Sequence, residues 1–153
     1  MSMPRTLVVI TCNEANPMVD PARHFNLNTS ATQVIKTAGG RTEGAINSIY
    51  QVAQSVKIDM IIVVQHTSCP WSLGEVENNI RSDVRGLKAS PYVQKDISII
   101  GYVLDLATDQ LREVKYVEAL CSLSLWKSTS PPIIFRNLIY PFLWHSTGNP
   151  SSG

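Results

Sequence analysis

Charge is scarce in this chain: Asp, Glu, Lys and Arg make up 16% of its 153 residues and leave a net charge of +1. An average soluble domain carries about a quarter charged residues, so the shortfall favours association. The basic residues are scattered along the sequence, without the clustering a polyanion surface needs, and no nucleic-acid partner is expected. Cysteine is sparse too. Three cysteines are an odd number and too few for a disulfide framework in a chain of this length, which points to a reducing, cytoplasmic setting. Long apolar runs are missing as well. The run near the N-terminus, LVVIT at 7–11, is too short for a signal-peptide core and no small-residue cleavage motif follows it. The stretch PPIIFRNLIYPFLW is interrupted by Arg136 and Asn137 and falls short of the ~20 apolar residues that span a bilayer. Neither export nor a membrane span is expected.

What is present is the alternation of an α/β protein. Leu7 to Thr11 is a continuous, largely apolar run rich in β-formers, as in a strand buried on both faces of a parallel sheet. Asn13 to Thr32 is polar and holds Pro17 and Pro21, which predicts a loop with a short helical piece over Pro21 to Phe25. Gln33 to Lys36 reads as a short strand, and Ala38-Gly39-Gly40 as a tight turn. Thr42 and Glu43 are expected to open a helix, because Ala45, Ile46, Ile49, Val52, Ala53 and Val56 recur at threes and fours. Asp59 then leads into MIIVV, a second buried strand, so strand, helix and strand follow within about sixty residues, the pattern of a right-handed parallel crossover. Glu75 to Gly86 predicts another helix ending at its glycine. Ile97 to Asp105 and Leu111 to Val117, separated by a turn at Asp109 and Gln110, predict a hairpin. The fold class is therefore α/β, a single domain with a mostly parallel central sheet flanked by helices. The boundaries are 1–118 for this domain and 119–153 for a C-terminal extension, rich in Ser, Pro and large apolar residues, that packs on a partner subunit or is partly disordered.

The chemistry concentrates at two strand ends. Cys12 follows the first buried strand, His66 follows the second, and Cys69 stands three residues beyond. Open parallel sheets gather binding groups at the carboxyl ends of their strands, so Cys and His-x-x-Cys on two such ends can converge on one ion. A cysteine after a buried strand is more often a small core residue; the placement of all three favours a metal. Zn2+ suits a Cys2His set, and a free fourth position is the mark of catalytic rather than structural zinc. Gly39 and Gly40 lack the fuller fingerprint of a nucleotide loop, so a turn lining the metal site is the better reading. Arg41 stands at a helix start, where the dipole disfavours a cation, and so is expected to have a local partner or to face a small anion. His24, His145 and Cys121 have no neighbouring ligand residues; the histidines are expected at the surface and the cysteine in packing.

The segments VVITCNEA, VDPARHFNL, VIKTAGGRTEGAINSI, IIVVQHTSC, VRGLKASPYV and IIGYVLDLATDQLREV resemble, in order and spacing, successive blocks of the β-class carbonic anhydrases, especially the short prokaryotic and fungal ones, over roughly residues 6 to 117. The resemblance implies a zinc held by Cys12, His66 and Cys69. It further implies a homodimer or higher homo-oligomer, and a lyase in which water activated at zinc adds to CO2 to give bicarbonate. Where that family carries Cys-x-Asp-x-Arg, this chain has Cys12, Glu14 and Asn16. Both members of the family's Asp/Arg dyad are replaced, so Glu14 and Asn16 become the candidate catalytic pair, and Gly39, Gly40 and Arg41 the candidate pocket wall. Asn16 has no charge with which to hold a carboxylate away from the metal. Glu14, one methylene longer than Asp, either reaches the zinc and closes the site or swings clear and acts as a base. Three readings follow: a carbonic anhydrase of modified activity, a zinc enzyme repurposed for another small electrophile, and a zinc-stabilised binding protein without turnover.

Overall fold

The apolar runs at 7–11 and 60–64 lie side by side in the computed structural model, which describes residues 3–116. Five strands form one sheet: β1 (Arg5–Cys12), β2 (Thr32–Thr37), β3 (Lys57–His66), β4 (Ser98–Asp105) and β5 (Gln110–Val114). Their order is β2-β1-β3-β4-β5. The first four are parallel and β5 returns antiparallel to β4. Ile10 pairs with Val63, so β1 and β3 end at the same edge, and that edge carries the site.

Alternation along the central strands sends side chains to both faces. Val8, Ile10, Ile61 and Val63 pack with Ala45, Ile49 and Leu87 on one face, while Val9, Ile62, Val64 and Leu104 meet Leu7, Phe25 and Leu27 on the other. Full burial of each such Val, Ile or Leu side chain contributes about 1.5–3 kcal/mol, which is why the continuous runs select the inner strands. Phe25 and Tyr102 meet edge to face, with ring centroids 5.3 Å apart, and anchor the 13–31 segment over the second face. Within that segment Pro17–Val19 and Pro21–Arg23 form short 3-10 turns, each beginning at the proline whose fixed φ suits a first helical position.

Two helices, α1 (Ile46–Ala53) and α2 (Val76–Ala89), flank the sheet. Both differ in extent from the sequence expectation. Thr42 does not cap its helix; buried, its hydroxyl donates to the Asp83 carbonyl oxygen at 3.4 Å. Glu43–Ala45 consequently form a 3-10 turn, α-geometry starts only at Ile46, and Val56 lies beyond the helix end. In α2 the glycine at 86 is not a stop. Leu87, fully buried, holds the last turn on the core, and the chain leaves the helix at Ser90, whose N–H donates to the carbonyls of Gly86 and Leu87. His24 is not at the surface. Its side chain is only 13% exposed and its Nε2 lies 3.6 Å from Asp109, which also accepts from Arg23 at 2.9 Å. The β4–β5 turn thus reaches back to the 21–24 segment, a contact no local spacing reveals.

Among the described residues no helix is long and apolar enough to cross a membrane. The extension expected at 119–153, with Cys121 and His145, lies outside the described residues.

Glu77 in α2 accepts from Arg81 one turn on and from Arg112 in β5. These guanidiniums, Arg112 first, hold its carboxyl below the usual carboxylate range. A carboxylate whose pKa is lower folded than unfolded contributes stability above its unfolded pKa and loses it as pH falls through the folded one. Thermal unfolding should therefore show a Glu77→Gln variant less stable than the parent at pH 7, the difference vanishing as the pH drops below the carboxylate range.

Candidate metal centre

Parallel pairing of β1 with β3 delivers Cys12 and His66 to one edge, and the backbone after His66 brings the third group back. The Thr67 N–H donates to the Leu104 carbonyl at 3.0 Å, extending the β3–β4 ladder by one step. Ser68 then takes a left-handed conformation, φ 57°, which a non-glycine residue holds at a cost of about 1–3 kcal/mol and which recurs where a site demands it. That turn redirects the chain so that Cys69 faces Cys12, with their Sγ atoms 3.6 Å apart. Glu14 joins them, its Oε2 3.1 Å from His66 Nε2. One donor atom from each of Cys12, Glu14, His66 and Cys69 lies within 4.8 Å of the others.

This donor set fits zinc. Tetrahedral bonds of about 2.3 Å to sulfur place two thiolates roughly 3.7 Å apart, and bonds of about 2.0–2.1 Å to nitrogen and oxygen place that pair roughly 3.3 Å apart. The observed 3.6 and 3.1 Å are close to both. Protonation points the same way. His66 Nδ1 lies 2.9 Å from the Thr67 carbonyl oxygen, which can only accept, so in the neutral ring Nδ1 carries the proton and Nε2 the lone pair. His66 Nε2 and Glu14 Oε2 are both buried without a hydrogen-bond partner, two acceptors facing each other as they would across a shared cation. Burial pushes the Cys69 thiol above its ordinary range; a backbone hydrogen bond at Trp71 opposes this, and Cys12 and Glu14 add to the rise. A divalent cation reverses that logic, since it selects the thiolate.

Asn16 is committed elsewhere. Its Oδ1 accepts from the Met18 N–H at 3.0 Å and caps the Pro17–Val19 turn, so Glu14 turns to His66. A cavity of about 130 Å³ opens beside these residues, lined by Cys12, Glu14, Asn16, Pro17, Asp20 and Lys36 among others. Gly39 and Gly40 both have positive φ, 67° and 66°, and build the turn behind the site. A Cβ on Gly40 would stand 2.7 Å from the Val64 carbonyl oxygen and 3.2 Å from the Cys12 nitrogen. Arg41, next to them, forks its guanidinium onto Asp83 of α2, Nε to Oδ2 at 2.8 Å and Nη2 to Oδ1 at 3.1 Å.

Spacing arguments missed Gln65 and Asp83, both buried polar residues, with Gln65 Nε2 donating to Asp83 Oδ2 at 2.6 Å. The signal was available. Gln65 is a polar residue inside an apolar strand, and Asp83 shares the helical stripe of Val76, Ile80, Val84 and Leu87.

Gly40→Ala should destabilise the protein by more than the ~1–3 kcal/mol of a strained backbone conformation, because the methyl also meets backbone atoms that cannot give way; denaturant titration measures it. Replacing Cys69 by Ser should abolish stoichiometric zinc uptake and any rise in melting temperature that zinc produces, checked by metal analysis and calorimetry.

No protein-family profile matches the chain. It is 24% identical to β-carbonic anhydrase 1 of Mycobacterium tuberculosis over 134 aligned residues, covering 71% of this chain and 81% of that protein. Among solved structures it is similar to a carbonic anhydrase from Streptococcus mutans, with a TM-score of 0.65 and 23% identity over 74% of this chain and 84% of that one. It is also similar to a carbon disulfide hydrolase in its apo form, with a TM-score of 0.61 and 20% identity over 76% and 82%. At these identities the structural likeness establishes the fold. Taken together, these likenesses give the chain a β-carbonic-anhydrase-like fold whose sheet edge carries the converging donors of Cys12, Glu14, His66 and Cys69.

Proposed function

We propose that the chain is a zinc-dependent lyase of the β-carbonic anhydrase type that hydrates CO2 to bicarbonate with weakened activity. The observation that carries this reading is the meeting of two sulfurs and an imidazole nitrogen within 4.8 Å of one another at the carboxyl ends of adjacent parallel strands. Cys12, His66 and Cys69 would hold the metal. Zinc in that position supplies the Lewis acidity that lets a water ionise near neutral pH. Two thiolates and one imidazole leave such a site close to neutral, so the residues around it carry more of the task than they would beside three histidines.

Glu14 is the decisive residue. Its carboxylate stands among the donors, 3.1 Å from His66 Nε2, and no guanidinium at position 16 draws it off. Drawn to a bound zinc, Glu14 would close the site and stop turnover; swung into the adjoining cavity, its oxygen would accept a proton there. The burial of Glu14 Oε2 among the other donors favours the first position. That is the observation behind a second reading, a zinc-stabilised binding protein without turnover. The small cavity also admits another small electrophile, and the likeness to a carbon disulfide hydrolase makes sulfur analogues of CO2 the first alternative substrates.

The reading places the protein in the cytoplasm, where Cys12 and Cys69 stay reduced. It acts there on small molecules as a homodimer or higher homo-oligomer, in keeping with the low charge and with β2, an edge strand that leaves Val34 44% exposed.

Stopped-flow CO2 hydration tests the proposal. Zinc-loaded protein should exceed free zinc, and the double variant Glu14→Asp/Asn16→Arg should raise turnover by about tenfold or more, the scale of outer-sphere partners at metal sites. Loss of the Asn16 cap should cost about 1 kcal/mol of stability. If both proteins turn over no faster than free zinc, the lyase reading falls; turnover in the double variant alone supports a site closed by Glu14.

A further inference from the structure

We propose that Asp83, on α2 and outside the donor set, is a positioning residue that braces all three metal-bearing segments through one buried carboxylate. The inference rests on the metal reading above. It starts from a feature that stability does not explain. Asp83 is 6% exposed, and a buried ion pair is a poor stabilising device, since desolvation offsets most of the attraction.

That carboxylate accepts from Gln65 and Arg41, and the further bonds of these two residues reach three places. Oδ2 accepts from Gln65 Nε2 at 2.6 Å, and Gln65 immediately precedes His66 on β3. The same Gln65 amide donates to the Gly40 carbonyl at 3.3 Å, in the turn that packs against the Cys12 nitrogen. Arg41, forked onto Asp83, extends Nη1 to Asn79 Oδ1 at 3.3 Å. Asn79 in turn donates to Ser72 Oγ at 2.9 Å and to the Leu73 carbonyl at 3.0 Å, and the Ser72 N–H bonds to the Cys69 carbonyl at 3.2 Å. One anion therefore links the neighbour of His66, the support of Cys12 and the loop of Cys69.

The helix that holds it is a firm base. Ile80, fully buried, sits so close over Gly101 of β4 that a Cβ there would be 2.2 Å from its Cγ2. The loop it braces, by contrast, has little hydrophobic anchorage: Trp71 is 61% and Leu73 88% exposed. Polar bracing takes the place of packing on the Cys69 side, and a group that orients ligand segments from outside acts on the metal's affinity more than on the fold.

Three readouts test this: zinc affinity by competition with a chromophoric chelator, the absorption spectrum of the Co2+-substituted protein, and amide exchange at Ser72 in the metal-free protein. Asp83→Asn should weaken zinc by about 10- to 100-fold, shift the Co2+ bands and speed exchange at Ser72. Arg41→Gln, which removes the direct link to Asn79, should change all three in the same direction, and serves if Asp83→Asn does not fold. Ile49→Ala, a core change away from the brace, should lower the melting temperature while leaving zinc affinity and the Co2+ spectrum as in the parent. Asp83→Asn with parental affinity and spectrum, or with losses no larger than those of Ile49→Ala, overturns the brace alone. A parent chain that takes up no zinc overturns the metal reading and the brace together.

Discussion

Two acceptors held face to face at the end of a parallel sheet set the terms for this protein. His66 Nε2 and Glu14 Oε2 are buried 3.1 Å apart without a hydrogen bond between them, beside two cysteine sulfurs 3.6 Å from each other. Lone pairs gathered out of water are costly unless a proton or a metal cation is shared between them. The remaining structure can be followed outward from that constraint. The parallel register aligns the ends of β1 and β3, the left-handed Ser68 brings Cys69 back, and the Gly39–Gly40 turn allows the backbone to close on Cys12.

The departure from the family's dyad has a local structural cause. A short polar side chain at 16 completes the turn that begins at Pro17, and its oxygen is engaged by the Met18 N–H. The position therefore serves the backbone, whereas an arginine there would serve the carboxylate at 14. A longer carboxylate without a cationic keeper comes to rest among the metal donors. The change is confined to the side chains at the sheet edge and leaves the β-carbonic-anhydrase-like fold intact.

Asp83 lies outside the donor cluster and yet is tied to the segments that carry it. A carboxylate on the apolar stripe of a helix is unfavourable in itself. It is retained here with a guanidinium and an amide whose other contacts lead to the segments carrying Cys12, His66 and Cys69. The exposed 71–73 loop lacks the apolar contacts that would fix it, so polar contacts from α2 supply the order.

Sequence alone determined the strands, because a continuous apolar run rich in β-branched residues, such as Leu7 to Thr11 or Met60 to Val64, is stable only with both faces covered. It also determined that Cys12 and His66 share an edge, since parallel strands joined by a right-handed crossover end on the same side. Helix limits were less legible: the reach of α2 past Gly86 depends on the burial of Leu87, and the late start of α1 on a hydrogen bond from Thr42 to a distant carbonyl. Only the tertiary structure decided that Glu14 faces His66, that His24 is covered by the turn at Asp109, and that Asp83 binds Arg41 and Gln65. Each of these pairings joins residues far apart in the chain, and local periodicity carries no record of which polar groups will meet once the layers have packed.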